Sequence, residues 1–353
     1  MSGQRPSGMT LLEVLIAVAI TSLVMSMAVS VVGSGVKLAR QQEQTVNSNE
    51  AARTGMEMLL RDLRAVGVPQ GIYVTEPGGT PIRINSIFTQ PGSGTTDTGI
   101  DDLWMVVPRP NAMQANCTSP GSGAVVTANS AGSPLPVSCT TPFVATDILM
   151  VSNYTSAVLI NGLTLGGTTV NFAQSGTANF FTNPTKQAFQ RGELVFPVDI
   201  VRYQVRNNPL LASATYPLGR PELIRARGNL NTSPYAAGPV SATAPFAVAA
   251  GAPEQRFPDV EDLQVAWGTG SGLSPLTFAP GHNILFNAGA SPQAVRISVV
   301  GITPRAILDD QNRPQPSGPV TVENHVAAAI IDGYRRSVYR RRVDLLNMGA
   351  VSL

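Results

Sequence analysis

The chain has 353 residues, a formal net charge of +2, 13% charged residues and 43% hydrophobic residues. So small a net charge excludes the global cationic field that drives non-specific nucleic-acid binding. The 33 glycines and 28 prolines exceed average usage and favour a β-rich body with many loops over a helical bundle. The length allows one enlarged domain or two average ones.

The first predicted element is an apolar helix close to the N-terminus. Residues 14–36 carry no formal charge, and 23 residues at about 1.5 Å each span about 35 Å, enough to cross the hydrocarbon core of a membrane. Glu13 lies just inside this run, where a carboxylate is costly unless it meets a partner. The small residue Gly8 precedes the run, whereas the cleavage site of an ordinary secretory signal follows its apolar stretch. The sequence therefore predicts one membrane span with an acidic residue near its start.

The segment Gly8-Met9-Thr10-Leu11-Leu12-Glu13 resembles the class III signal of type IV pilins and type II secretion pseudopilins. This resemblance implies that a prepilin peptidase cleaves between Gly8 and Met9 and methylates the new amine of Met9. It also implies that the helix stays on the mature protein and that Glu13 pairs with the N-terminal amine of a neighbouring subunit. An uncleaved signal anchor is the alternative. Arg5 in the leader favours a cytoplasmic N-terminus.

The helical pattern continues beyond the predicted span. Apolar residues recur at helical spacing and form one stripe: Ala52, Met56, Leu59, Leu60, Leu63 and Val66. Charged residues are assigned to the other faces: Arg53, Glu57, Arg61, Asp62 and Arg64. Glu57 and Arg61 have the i,i+4 spacing of a pair. No proline interrupts residues 9–66, and Gly67 is followed by Pro69, so we predict a single helix about 87 Å long.

From about residue 71 the pattern changes to short strands between turn clusters. Residues rich in β-branched side chains predict eight strands, at 102–107, 147–152, 157–160, 194–206, 222–225, 260–267, 294–302 and 337–345. Low-complexity segments at 90–99, 118–136 and 231–253 are interpreted as surface insertions. The predicted fold class is α+β: a type IV pilin-like lollipop whose long N-terminal α-helix packs on an enlarged antiparallel β-sheet head.

Further segments extend the resemblance into the head. Residues 54–67, 260–268, 294–299 and 334–345 are similar, in order and spacing, to the PilW group of minor pilins, which is related to the GspJ minor pseudopilins. The resemblance divides the chain into a leader peptide at 1–8, a transmembrane and assembly half of the helix at 9–36, an amphipathic half at 37–67 and a β-rich head at 68–353.

Cys117 and Cys139 flank a segment rich in Ser, Gly, Pro and Ala. The resemblance places the head outside the cytoplasm, and two cysteines there are expected to form a disulfide worth about 3 kcal/mol. A pair of free thiols is the alternative. A metal or catalytic site is not favoured, because no histidine lies nearby in the sequence.

The strongest local charge feature is a basic cluster near the C-terminus. In an extended strand Arg336, Arg340 and Arg342 share one face. We favour a solvated sheet edge that resists unwanted pairing. The alternatives are a contact with DNA, for which only Tyr334 and Tyr339 supply aromatic rings, and a contact with an acidic partner pilin.

No phosphate-binding loop, His-Glu-x-x-His, Cys-x-x-Cys or nucleophile elbow occurs in the sequence, so we expect no catalysis, cofactor or metal. The resemblance implies a minor pilin that acts as an initiation or tip subunit of a pilus. Such a pilus is expected to serve twitching motility and cell adhesion. The implied partners are the prepilin peptidase, other minor and major pilins and the inner-membrane assembly machinery. The implied location is the inner membrane, with a periplasmic head, and then the pilus.

Two other functions stay open from the sequence. One is a GspJ-like minor pseudopilin of a type II secretion system. The other is an adhesin or DNA-binding pilin at the tip, although nucleic acid is not the favoured partner.

Overall fold

The computed structural model describes residues 10–66, 72–75, 81–90, 102–110, 112, 114–115, 117, 122–153, 157–172, 188–212, 219–230, 246–248, 253–269, 277–280, 292–303, 321–322, 325–326 and 334–345. Gly8 and Met9, and the predicted stop signal at Gly67 and Pro69, lie outside these residues.

One helix, α1, runs without a break from Leu11 to Ala65, which confirms the predicted continuous helix. Thr10 is its N-cap, and Val66 is its C-cap. Gly33 and Gly35 lie within the unbroken helix, and a Cβ at either position would meet nothing within 4 Å.

The described part of the head contains twenty strands and one short 3₁₀ helix, Pro209–Leu211. The strands are β1 Ile72–Thr75, β2 Pro81–Ile84, β3 Ile87–Gln90, β4 Asp102–Pro108, β5 Ala124–Val125, β6 Leu135–Pro136, β7 Ile148–Ser152, β8 Ala157–Ile160, β9 Leu163–Gly166, β10 Thr169–Phe172, β11 Leu194–Asn208, β12 Arg220–Leu230, β13 Phe246–Val248, β14 Glu254–Pro258, β15 Val260–Thr269, β16 Thr277–Pro280, β17 Ala294–Ile302, β18 Thr321–Val322, β19 His325–Val326 and β20 Arg336–Asp344. All eight predicted strands form, most of them within two residues of the predicted ends; β12 is much longer than predicted.

The strands form two principal sheets. The larger sheet has the order β13-β12-β11-β7-β8-β1-β2, with β4 and β5 also on β11, β3 on β4 and β14 on β12. The second sheet has the order β16-β15-β17-β20. Their described pairs are antiparallel except for β1 with β8. The predicted α+β lollipop, a long helix on antiparallel sheets, is confirmed.

The C-terminal half of α1 packs against both sheets. The predicted apolar stripe is confirmed, since its residues are at most 8% exposed: Ala52, Met56, Leu59, Leu60, Leu63 and Val66. They share one core with residues of β4, β11, β12, β15 and β17. We call α1 from Ser48 onward, together with these strands and with β14 and β20, the helix-packed base.

Two predictions about the charged residues of α1 are wrong. Glu57 pairs with Arg53, at 2.9 Å, rather than with Arg61. Asp62 is not on an outer face: its side chain is buried and faces strands of the head. The second error matters, because a buried carboxylate requires partners.

The prediction of a surface insertion at 118–136 is wrong for the two ends of its described part, whereas residues 127–129, 131, 133 and 134 between them are exposed. Ala124, Val126 and Leu135 are fully buried. The strand β6 joins β10 and β9 in a three-stranded sheet, and β5 pairs with β11. We call the described residues of 122–172 the distal lobe. Many of its apolar side chains form a core with Phe189 and Val195, whereas Ile148, Met150, Ala157 and Leu159 belong to the core around Trp104.

Strand β11 connects the base to the distal lobe. Its residue Tyr203 contacts Asp62 in the last turn of α1, whereas Leu194 and Val195 pair with β5 and β7. The lobe strand β7 pairs with β11 from Val198 to Leu194, and Val198 lies five residues before Tyr203, so the lobe begins about 16 Å farther along the strand.

Candidate functional site: the exposed half of the helix

The N-terminal half of α1 projects from the head. Every residue from Leu11 to Arg40 is exposed, a length of about 45 Å. Its large apolar side chains are between 46% and 81% exposed, up to Leu11 at 81%. Among the described residues, α1 is the one helix long and apolar enough to cross a membrane. So extensive an apolar surface requires lipid or other helices around it.

Glu13 is held at the start of this helix by a capping box. Its carboxylate accepts hydrogen bonds from the backbone N–H of Thr10, at 3.0 Å, and from the Thr10 hydroxyl, at 3.2 Å. The Thr10 oxygen accepts a bond from the Glu13 N–H, at 3.3 Å. The Thr-x-x-Glu spacing is the sequence signal for this arrangement. The carboxylate thus lies beside the chain segment that immediately precedes the helix.

The basic residues of β20 have partners within the head. Arg336 forms two hydrogen bonds with Glu261, at 2.6 and 3.0 Å, and its side chain is 7% exposed. Arg340 donates to Ser298, at 3.2 Å, and Arg342 pairs with Asp344. Of the three predicted contact residues, Arg336 therefore has its side chain largely enclosed in the base, whereas Arg340 and Arg342 are exposed, as are Arg335 and Arg341.

Strand β20 pairs only with β17 among the described strands, so it lies at the edge of its sheet there. Charged side chains on an edge strand discourage pairing with further strands.

The structure joins Cys117 and Cys139 by a disulfide with a Cα–Cα distance of 5.9 Å. Cys139 packs against the core of the distal lobe. The bond therefore anchors the segment before the lobe to the strand region that follows β6.

A buried cluster of polar side chains joins α1 to the head. Asp62 Oδ2 accepts hydrogen bonds from the Tyr203 hydroxyl, at 2.8 Å, and from Arg225 Nε, at 2.6 Å. Burial and the Asp62 carboxylate raise the pKa of Tyr203. Burial lowers the pKa of Arg225, but the hydrogen bond and charge of Asp62 outweigh burial and raise it overall. The sequence contains a signal that Asp62 is buried. Asp62 lies three residues after Leu59 and next to Leu63, which places it at the margin of the apolar stripe.

Residues 4–29 match the pattern described as the prokaryotic N-terminal methylation motif. No curated protein and no solved structure matches the chain at a significant level. The motif lies at the start of a long apolar helix that carries an antiparallel β head, and together these features define a prepilin-type, type IV pilin-like structural protein.

Proposed function

We propose that this protein is a minor type IV pilin of the PilW type, which acts in pilus assembly as an initiation or tip subunit. One observation carries the proposal: the methylation motif leads into an unbroken helix whose exposed apolar half projects from an enlarged head. Such a helix is suited first to a membrane and then to a filament core, because both environments cover its apolar surface.

The processing step follows from the position of the charges. Cleavage between Gly8 and Met9 by a prepilin peptidase creates an amine one residue before the N-cap Thr10, and methylation of that amine keeps its positive charge. In a water-excluding bundle of helices, the Glu13 carboxylate of one subunit offsets the amine of a neighbour. Each of these charges is costly alone in an apolar bundle. Because the carboxylate and the amine stabilise each other only when they are adjacent, they favour one axial position of a subunit relative to its neighbour.

The protein waits in the inner membrane with its head in the periplasm. It then associates with other minor pilins, and the assembly machinery extracts its helix into the growing filament. The 286 residues at 68–353 make a head whose bulk is best accommodated at a tip, where no subunit lies above it. This last step is an argument from fold-level analogy.

Deletion of the gene tests the assembly role. We expect the deletion strain to lose surface pili and twitching motility, with recovery when the gene is restored. Intact pili with blocked export of secreted enzymes would instead indicate a GspJ-like pseudopilin. Intact pili with lost adhesion or DNA uptake would indicate a tip-located binding protein, for which Arg340 and Arg342 are the exposed basic residues to replace.

The charge pairing is tested by Glu13→Gln, with Glu57→Gln as the control, because Glu57 is an exposed carboxylate on the half of the same helix that packs against the head. We expect Glu13→Gln to reduce incorporation into pili at least about tenfold, because one charge-assisted hydrogen bond is lost. We expect Glu57→Gln to leave incorporation unchanged. Mass spectrometry of the membrane-bound protein checks processing. An intact leader upstream of Met9 would overturn the whole proposal.

A further inference from the structure

Two exposed arginines lie where the edge strand β20 borders α1. Arginines of the head commonly meet an acidic side chain of the same chain, as Arg109, Arg225 and Arg336 do. Arg64 and Arg341 differ, because both are exposed and neither side chain forms an ion pair or a hydrogen bond within the part of the chain that the structure describes. Their positive charges are therefore available to a partner.

The register of β20 places Arg341 on the side of its sheet that faces α1. Arg341 lies opposite Ile297, whose side chain belongs to the core beneath the helix. Tyr339 and Val343, two residues before and after Arg341, are on the same face and pack against that core. Arg341 therefore borders the helix, whereas its immediate neighbours in β20 lie on the opposite face of the sheet.

Arg64 lies on the flank of α1 that is next to β20. The opposite flank is marked by Asp62, which contacts β11 and β12. At about 100° per residue, Arg64 is about 160° away from Asp62 around the helix but only about 20° from Arg53. Arg53 is close enough to Tyr339 for an electrostatic interaction between the two side chains. Arg53 and Arg64 thus share the flank that faces the edge strand.

Arg64 and Arg341 also lie at similar positions along the helix. Gly301 is opposite Ser337 of β20 and lies against Ala52 of α1. From this level, Arg341 is four residues farther along the strand, about 13 Å, and Arg64 is twelve residues farther along the helix, about 18 Å. A difference of about 5 Å is within the reach of arginine side chains, so both guanidinium groups can contact one bound segment.

We define the basic flank by four residues: Arg64, Tyr339, Arg341 and Val343. Tyr339 and Val343 are only partly buried and form a small apolar centre, which the two arginines border. Tyrosine and arginine are enriched among the residues that contribute most to protein interfaces. Arg53 adds no net charge to the flank, because it pairs with Glu57 at 2.9 Å.

The head itself supplies no carboxylate for the basic flank. Every acidic residue of the head that the structure describes already has a hydrogen-bond or ion-pair partner. A second copy of the head therefore has no free described carboxylate to offer. Nucleic acid is also a poor fit, since the net charge of the chain is only +2 and the ring of Tyr339 packs against the core.

We propose that the basic flank docks an acidic segment of a different prepilin-type subunit. Carboxylates of that segment pair with Arg64 and Arg341, and apolar side chains beside them contact Tyr339 and Val343. The proposal rests on the proposed function, because packing of the exposed helix halves into one bundle brings the heads of neighbouring subunits side by side. Charge complementarity of this kind selects one neighbour and rejects others that carry like charge.

Photocrosslinking tests the identity of the partner. p-Benzoylphenylalanine replaces Tyr339 in the full-length protein, membranes of the producing cells are irradiated, and the adducts are analysed by mass spectrometry with and without nuclease. We expect an adduct with another chain that carries a prepilin-type signal, through a peptide of net negative charge. An adduct with a neutral or basic peptide, with a second copy of this chain or with nucleic acid would overturn the proposal, and so would the absence of any adduct.

Arg341→Glu tests the role of charge, and Arg191→Glu is the matched control. Arg191 is likewise exposed, and its side chain has no ion pair among the described residues, but it lies before β11 and away from α1. We expect Arg341→Glu to lower the crosslinking yield at least about tenfold and Arg191→Glu to leave it unchanged. Replacement of the crosslinked acidic residue of the partner by arginine should restore the yield with Arg341→Glu. An unchanged yield in Arg341→Glu, or an equal loss in Arg191→Glu, would overturn the proposal.

Tryptophan fluorescence of each purified variant checks that it is folded. If Arg341→Glu does not fold, Arg341→Gln removes the charge without reversing it and should lower the yield about threefold; an unchanged yield there would overturn the proposal too. Absence of the unaltered protein from sheared pili would instead overturn the proposed function, while the adducts formed in membranes would still decide whether the basic flank binds an acidic segment.

Discussion

The helix-packed base and the distal lobe are stabilised by different means. The base combines its apolar core with ion pairs between distant parts of the chain, such as Arg225 with Asp62, Arg202 with Asp102 and Arg336 with Glu261. In the described part of the distal lobe the one charged residue is Asp147, which is buried and forms a single ion pair, with Arg109 at 2.7 Å. The lobe has a small core and a disulfide at its margin.

The difference follows from what each region must specify. The base brings a helix together with strands from distant parts of the chain, and the charged side chains buried between these elements require partners in addition to apolar packing. The lobe consists of short strands whose pairing is already fixed by hydrogen bonds of the backbone, and a covalent link is enough to restrain its connecting segment. Separate stabilisation predicts separate responses to mutation.

The largest expected effect comes from Leu59→Ala, which removes a fully buried side chain from the base. We expect the free energy of unfolding of the base to fall by about 2–5 kcal/mol, because the lost transfer energy adds to the cost of a cavity. Tryptophan fluorescence in a denaturant titration of protein carrying Trp104→Phe measures this, since the remaining Trp267 lies in the same core as Leu59, whereas Trp104 shares a core with Met150 and Leu159 of the distal lobe. Val46→Ala, at a position 59% exposed, is the control and should change little. An unchanged fluorescence midpoint in Leu59→Ala would contradict the prediction.

The second effect comes from replacing Cys117 and Cys139 together by serine. We expect the distal lobe to lose about 3 kcal/mol of local stability, since the unfolded segment is no longer restrained. Hydrogen exchange at Val126 and Val170 should accelerate about a hundredfold, while the tryptophan midpoint of the base moves much less. Reduction of the unaltered protein should reproduce the result. Equal loss in both regions would show that they unfold as one unit and would remove the distinction between them.

The third and smallest effect is a pH dependence confined to the base. Because burial and Asp62 raise the pKa of Tyr203 in the folded protein, the unfolded chain loses that proton first as pH rises. The pKa of tyrosine in the unfolded chain is about 10. Below this pH the contribution of Tyr203 to the free energy of unfolding is therefore fully present, and above it that contribution falls by roughly 1 kcal/mol per pH unit. Denaturant titrations at increasing pH, followed by tryptophan fluorescence, measure the slope. Tyr203→Phe should have a shallower slope, and identical slopes would contradict the assignment.

Much of the fold was predictable from local patterns. The apolar residues from Ala52 to Val66 repeat at the period of a helix, and Gly8, Met9 and Glu13 have the spacing of a prepilin signal. Both the helix and the signal can therefore be predicted without knowing which distant residues come into contact. The eight predicted strands were found for the same reason, because their runs of β-branched residues are continuous. Processing at Gly8 and Met9 stays a prediction from the sequence and the matched motif.

Only the tertiary structure decided the partners of the charged residues and the fate of residues 122–136. Asp62 meets Tyr203 and Arg225, which lie more than a hundred positions away, and nothing in their local sequence selects that pairing. The strands β5 and β6 are two residues long and gain their order from burial against β11 and β10. Local sequence determines which elements form, whereas the register between elements depends on shape and charge that are present only when distant segments are packed together.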